Sequence, residues 1–257
     1  MGSVPEREAG ALPDFIIIGA QKSATTSLYD NFARHSRVFM ARHPDRAREM
    51  HFFNNDQTWS RGVDWYRRRF ERPELTQGEK TPSYFARAVA VERMAAVVPN
   101  ARLVLFLRNP VFRAYSQWNH YRQAPPASAA AGWASVSFER AVAEAASKAD
   151  SPFAPLLRTG RYADHLETVL RHFRRDQLHI GVTERLKARP VPEFNRVLSF
   201  LGLEPEHDDF AYTHMRKYPQ PMSPLTATRL MQYFAPHNER LYELLGEEIP
   251  EWYGMPP

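Results

Sequence analysis

Three observations predict an α/β fold built on one parallel sheet. Short, uninterrupted apolar runs occur along the chain, helical patterns separate them, and the loop leaving the first run gathers hydroxyl residues around a lysine. An apolar run without period-two alternation marks a strand covered on both faces. Strands that alternate with helices make a parallel sheet with helices on each side. The expected architecture is a single domain with a central parallel β-sheet flanked by helices, carrying a P-loop-like loop after its first strand.

The first element is the run Phe15-Ile16-Ile17-Ile18-Gly19, read as a buried strand. A small-residue loop from Ala20 to Thr26 follows, then a helical pattern with Leu28, Tyr29 and Phe32 on one face. Arg102 to Leu107 repeats the strand signature and ends at Arg108-Asn109-Pro110, with a helix expected from Arg113 to Arg122. Residues 177–182 read as a third core strand. A helix from Tyr162 to Phe173 precedes it, with Leu166, Val169, Leu170 and Phe173 in helical register. The Ala/Pro/Ser segment from Ala124 to Ser137 is expected to be a flexible loop. Helices are expected over Val191 to Leu201 and Pro224 to Leu245. Residues 1–12 read as a loose leader and 13–257 as one domain.

Composition narrows the function classes. The 257 residues suffice for one large domain with a sizeable core. Net charge is +5, and Arg outnumbers Lys by 29 to 5. A basic balance suits an anionic ligand. The short run Arg67 to Arg69 reads as a solvated helix face, and no reader motif or basic patch interleaved with aromatics points to nucleic acid. The absence of Cys excludes disulfides, thiolate nucleophiles and Cys-ligated metals, and suggests a reducing compartment. No apolar stretch approaches the roughly 20 residues of a membrane span, and no basic-then-apolar signal pattern opens the chain. A cytoplasmic protein without a membrane partner is expected.

Two anion sites are legible. In Gly19-Ala20-Gln21-Lys22-Ser23-Ala24-Thr25-Thr26-Ser27, a short loop enters a helix N-terminus. Backbone N–H groups and the helix dipole favour an anion there, Lys22 adds a full charge, and Ser23, Thr25, Thr26 and Ser27 add hydroxyl donors. The spacing differs from the Walker A pattern, because Lys22 comes early and no Gly precedes the Thr pair. An ordinary Ser/Thr-capped helix is the alternative. Arg108 follows the second apolar strand, where open α/β sheets bind ligands, and Ser116 lies eight residues on in the next helix. A guanidinium grips phosphate bidentately, although Arg108 paired with a carboxylate is an equal reading. His35, His43 and His51 lack metal-ligand spacing, so no metal is expected.

These residues resemble the sulfotransferases that use 3′-phosphoadenosine 5′-phosphosulfate (PAPS), and the heparan-sulfate type most of all. Gln21 to Thr26 resembles that family's QKTGTT phosphosulfate loop, with Ala24 in place of its Gly. RNPVFRAYS at 108–116 resembles its 3′-phosphate motif. EMHFFN (49–54), GVDWY (62–66), GEKTPSYF (78–85), GRYADHLETVLRHF (160–173) and APHNERLYELLG (235–246) also look like family segments, in the family's order. Arg216-Lys217-Tyr218-Pro219 resembles the end of its KGR-x-x-P cofactor loop, with Thr213-His214-Met215 where the family has Lys-Gly. The family's two-Cys hairpin is missing.

The resemblance implies in-line sulfuryl transfer from PAPS, releasing PAP, to an acceptor hydroxyl or amine without a metal. It implies Glu49 as general base, with its pKa raised toward neutrality by partial burial, and His51 orienting it or binding acceptor. It implies Lys22 and Lys80 as the charge-stabilising cations. Gln21 to Ser27, Arg108, Ser116, Arg216, Lys217 and Tyr218 are expected at the cofactor, with Phe210 or Tyr212 against adenine. The composition hints at a bacterial enzyme acting on a soluble specialised metabolite or carbohydrate. A P-loop kinase and a non-catalytic PAP- or polyanion-binding module are the competing readings.

Overall fold

The structure, a computed structural model, describes residues 11–45, 48–123, 133, 135–213 and 221–254. In chain order the elements are β1 (Phe15–Gly19), α1 (Thr25–Arg34), β2 (Val38–Met40), α2 (Asp56–Trp59), α3 (Val63–Arg67), β3 (Thr76–Lys80), α4 (Ala88–Val97) and β4 (Arg102–Leu107). Then come α5 (Pro110–Gln123), α6 (Phe138–Ser147), α7 (Pro155–Arg158), α8 (Tyr162–Leu170), β5 (Leu178–Val182), α9 (Thr183–Ala188), α10 (Pro190–Leu201) and α11 (Pro224–Leu245). The chain divides into two compact units, 1–107 with 168–215 and 108–167 with 216–257.

The first unit holds the sheet. Its five strands run in the order β2-β3-β1-β4-β5, and every neighbouring pair is parallel. The parallel sheet flanked by helices is the predicted fold. Three of its strands were legible as apolar runs; β2 and β3 were not. β2 has three residues, and β3 reads Thr-Gln-Gly-Glu-Lys, yet Gln77, Glu79 and Lys80 are buried. Glu79 and Lys80 are satisfied by side-chain partners and Gln77 Oε1 accepts from Arg72 N–H at 3.1 Å, although Gln77 Nε2 has no partner among the described residues, so the strand leaves no hydrophobic trace.

Phe15, Ile17, Leu28, Phe32, Val104, Phe106, Phe194, Val197 and Leu198 form a continuous core cluster. Each large apolar side chain so buried contributes about 1.5–3 kcal/mol. Two glycines make the strands fit. A Cβ on Gly78 would sit 2.3 Å from the Phe15 ring. One on Gly19 would sit 2.7 Å from Phe85 Cβ and 3.2 Å from the Pro82 carbonyl oxygen. The chain after β3 therefore crosses directly over the end of β1, where Thr81 N–H donates to the Ile17 carbonyl at 3.1 Å and Phe85 N–H to the Ile18 carbonyl at 3.0 Å. β5 starts at Leu178 rather than at 177, because Gln177 closes a 3-10 turn. α10 starts at Pro190, where a proline at the first helical position loses no hydrogen bond, and ends on Gly202 at φ +74°.

The second unit is helical. α5 begins three residues before the expected Arg113: Asn109 Oδ1 accepts from Val111 N–H at 3.0 Å and Pro110 supplies the first helical φ. α8 stops at Leu170, short of the expected Phe173. α11 matches its expected span and ends on Gly246 at φ +73°. Trp118, Phe138, Phe153, Leu156, Leu230 and Phe234 form the core of this unit. Within the expected loop from Ala124 to Ser137, residues 124–132 and 134 lie outside the described residues. Trp133 is buried, and Ser137 caps α6 by accepting from Arg140 N–H.

Candidate active site

The loop between β1 and α1 is shaped as an anion cradle. Lys22 and Ala24 both take left-handed backbone conformations, at φ +71° and +61°. Left-handed residues alternating with ordinary ones turn successive N–H groups toward one concavity, and the start of α1 adds its dipole. Ala24 stands where the resembled loop has Gly, and a Cβ at this φ carries strain. Ser23 Oγ is buried and has no hydrogen-bond partner among the described residues. An orphaned hydroxyl inside a concavity of N–H groups fits a phosphate-type oxygen. Gln21, Lys22 and Thr26 are half-buried around it, and Thr25 and Ser27 are buried in α1.

A second cluster lies at the end of β3. Lys80 pairs with Ile17 of β1 across the sheet, so its strand ends beside the cradle. Its ammonium is 2% exposed and donates to Glu49 Oε1 at 2.9 Å. His51 Nε2 lies 3.1 Å from Glu49 Oε2, so both carboxylate oxygens are engaged. An arginine next to Glu49 in the chain could have paired with it as with an ordinary surface carboxylate, but Arg48 pairs with Asp30 at 3.1 Å. Arg46 lies outside the described residues. Lys80 Nζ also stands 5.9 Å from the Tyr29 ring centre, on the helix the cradle opens.

The expected rise in the Glu49 pKa is overturned. Burial does push the carboxyl up, but the His51 hydrogen bond and the Lys80 ammonium outweigh it and hold the group at about 2. The raised carboxyl is the neighbouring Glu79, which burial pushes to about 7 against three hydroxyl donors that favour its ionised form. Glu79 faces away from Lys80, as strand alternation requires, and is fully buried with Tyr66, Thr81 and Tyr84. Only Lys80 of this strand stood out in the sequence. A Glu next to it in a polar strand, with Thr81 and Tyr84 two and five residues on, was the available signal, but nothing in residue order shows that all three side chains meet in the core. Asn54 was missed too: His51 Nδ1 lies 3.2 Å from Asn54 Oδ1, and Asn54 Nδ2 donates to Ser83 Oγ at 2.7 Å.

The remaining expected residues fall into three groups. Arg108 and Ser116 belong to the second unit; both are half-buried, and the Arg108 carbonyl accepts from Tyr162 Oη at 2.8 Å. Arg113 of the same motif is structural, fully buried and bonded to Gln117 Oε1 at 2.8 Å and to the Leu156 carbonyl. Phe210 packs edge-on against Phe194 and Tyr212, and Tyr212 Oη donates to the Leu186 carbonyl. Arg216, Lys217 and Tyr218 lie outside the described residues. The described chain just before them is pinned to α1: Thr213 N–H donates to Ser27 Oγ at 3.1 Å, Thr213 Oγ1 to Asp30 Oδ2 at 2.7 Å, and Ala211 N–H to Asn31 Oδ1 at 3.0 Å. Among the described residues no cluster of His, Asp and Glu could hold a metal, and no helix is long and apolar enough to cross a membrane.

A parallel sheet with an anion cradle after β1 and a lysine–carboxylate–histidine cluster after the adjacent β3 defines a class: an α/β protein built to handle an anionic group at the carboxyl ends of its strands. The profile of the family described as "Sulfotransferase domain" matches residues 12–234, and the chain belongs to that family. Its role is therefore that of a sulfotransferase in the general sense. The chain is 28% identical to heparan sulfate glucosamine 3-O-sulfotransferase 5 of Mus musculus, over 93% of this chain and 73% of the relative. It is 31% identical to the human bifunctional heparan sulfate N-deacetylase/N-sulfotransferase 3, over 96% of this chain but 32% of that larger protein. Among solved structures, the sulfotransferase from Alicyclobacillus acidocaldarius superposes with a TM-score of 0.75 at 25% identity, covering 95% of this chain and all of that one.

Proposed function

We propose that the protein transfers a sulfuryl group from PAPS to a hydroxyl or amine of a carbohydrate or a soluble small metabolite. The observation that carries this reading is the Lys80–Glu49–His51 cluster standing beside the cradle. The sulfotransferase relatives on both sides of the 3-O and N divide support either acceptor atom. In the proposed step the acceptor oxygen or nitrogen attacks sulfur in line, and a new bond to sulfur forms as the sulfur–oxygen bond to the 5′-phosphate breaks. PAP departs with the bond's electron pair, and the acceptor's proton passes to Glu49. Because the transferring group changes little in total charge, catalysis is positioning and electrostatic stabilisation. Lys22 and the loop N–H groups neutralise the leaving phosphate. Lys80 stabilises the bridging oxygen. Arg108, Ser116 and the segment with Arg216, Lys217 and Tyr218 hold the 3′-phosphate end, and Phe210 or Tyr212 offers a ring to adenine.

At about 2, the Glu49 pKa makes this carboxylate a weak base. A bound sulfuryl group competes for the Lys80 ammonium. When Lys80 turns to it, Glu49 loses its cation and burial raises its proton affinity.

Calorimetric titration with PAP tests the reading, with ATP, AMP and adenosine 5′-phosphosulfate as controls. Selective PAP binding, weakened by Lys22→Ala and by Arg108→Ala, is the expected result, followed by transfer from labelled PAPS in an acceptor screen. Tighter binding of ATP with Mg²⁺ would turn the assignment to a kinase. PAP binding without transfer to any acceptor would turn it to a binding module.

A further inference from the structure

Glu79 is a fully buried carboxylate on the strand that ends in Lys80. Its oxygens take three hydroxyl protons: Tyr66 Oη at 2.8 Å and Tyr84 Oη at 3.2 Å on Oε1, and Thr81 Oγ1 at 3.0 Å on Oε2. A hydroxyl has one proton, so each oxygen that donates to Glu79 must face its other neighbours as an acceptor. Those neighbours are consecutive backbone N–H groups. His51 N–H donates to Thr81 Oγ1 at 3.1 Å, and Phe52 and Phe53 N–H donate to Tyr84 Oη at 2.9 and 3.3 Å.

The segment so held starts at His51, whose backbone is left-handed at φ +50°. A non-glycine residue stays there only when its surroundings impose it. This is the turn that carries Glu49 and His51 toward Lys80. We propose that Glu79 in its ionised form is a positioning residue for sulfuryl transfer: by fixing the proton direction of the Thr81 and Tyr84 hydroxyls, the carboxylate locks the His51–Phe53 backbone and so sets the Glu49–His51–Lys80 geometry. The inference deepens the sulfuryl-transfer reading and rests on it for the catalytic role of Glu49.

Chemistry explains why a carboxylate is needed. An amide at this position would present its NH₂ to at least one hydroxyl, which would then turn its own proton toward a backbone N–H and lose that hydrogen bond. A buried donor without an acceptor is costly, so the turn would shift instead. The groups bonded to Glu79 are Tyr66 from α3 and Thr81 and Tyr84 from the chain after β3, and the charge of His51 acts to favour its ionised form.

The test compares Glu79→Gln, Thr81→Val, Thr81→Ser and Tyr84→Phe in the full chain. Thr81→Val keeps the side-chain shape and removes one hydroxyl; Thr81→Ser keeps the hydroxyl. The first readout needs no acceptor: nitrogen-15 spectra of the His51 ring, assigned by the loss of its signals in His51→Gln. Glu79→Gln and Thr81→Val are expected to move the His51 ring signals, and Thr81→Ser to restore them. PAP affinity should stay within about twofold, because the cradle is untouched. With labelled PAPS and an acceptor from the screen, kcat should fall at least about tenfold in Glu79→Gln and Thr81→Val at a nearly constant KM for donor, as expected for a misplaced catalytic group. Unmoved His51 signals in a folded Thr81→Val, or a Thr81→Ser as impaired as Thr81→Val, would overturn the proposal. A native chain that fails to bind PAP would sink the sulfuryl-transfer reading while leaving the His51 measurement decisive for the network itself.

Discussion

Glu49 gains its meaning from two neighbours, Lys80 at the end of β3 and His51 two residues on in its own loop. Lys80 reaches Oε1 and His51 reaches Oε2, so the carboxylate is held ionised until another anion competes for the lysine. Lys80→Ala is expected to lower kcat by roughly 10²–10³, the usual loss for a removed electrostatic stabiliser. It should also shift the acidic limb of the kcat/KM profile upward, because Glu49 then titrates nearer its ordinary range. A profile that does not move would separate Glu49 from the proton transfer. Ala24 is the second residue with a local consequence. Its Cβ sits at φ +61°, so Ala24→Gly should relieve strain and stabilise the fold by about 1 kcal/mol, after the entropy that Gly adds to the unfolded chain. Thermal unfolding would read this as a rise of about 2–4 °C. Tighter PAP binding should accompany it if the loop relaxes toward the anion.

At the scale of elements, β3 is the informative case. The motif GEKTPSYF drew attention to Lys80 because a cation beside a phosphate cradle has an evident use. The strand itself was invisible, since Gln77, Glu79 and Lys80 are buried by partners rather than by hydrophobicity. Its crossing over β1 depends on small residues. Gly19→Ala would place a Cβ 2.7 Å from Phe85 Cβ and push the segment that carries Thr81 and Tyr84. Activity is expected to fall further than stability, as seen by comparing kcat with the urea midpoint. Gly78→Ala, 2.3 Å from the Phe15 ring, is an overpacking change and should cost about 1–3 kcal/mol or more. α5 was legible as an element, but the expected start at Arg113 missed the first turn that Asn109 and Pro110, ordinary helix-start residues, set.

Over the whole molecule, the two displaced carboxyls give opposite pH responses. Glu49 is held at about 2, so it contributes stability above its ordinary range near 4.5 that is lost as pH falls through that range toward 2. Glu79 is pushed up to about 7, so the folded chain keeps a proton that the unfolded chain releases. Its stabilising contribution is present below about 4.5 and is lost as pH rises through 7. The stability advantage of the native chain over Glu79→Gln should therefore shrink between pH 5 and pH 8, measured by urea unfolding at each pH. A constant difference would mean that Glu79 titrates normally.

The sequence by itself determined the fold class, three of the five strands, the short loop after β1 and the family, because each is written in contiguous residues: apolar runs, a hydroxyl-rich loop, a string of co-linear motifs. It also singled out Glu49, His51 and Lys80 as individuals. What only the tertiary structure decided is how they act together. Lys80 and Glu49 lie 31 positions apart and meet at the carboxyl end of β3, whose parallel neighbour β2 leads into the segment that carries Glu49; Tyr66, Thr81 and Tyr84 converge on Glu79 from an unrelated helix and a turn. Proton affinity depends on these distances and on burial, and neither is a property of residue order. That is the physical reason the carboxyl expected to be raised is the one held low.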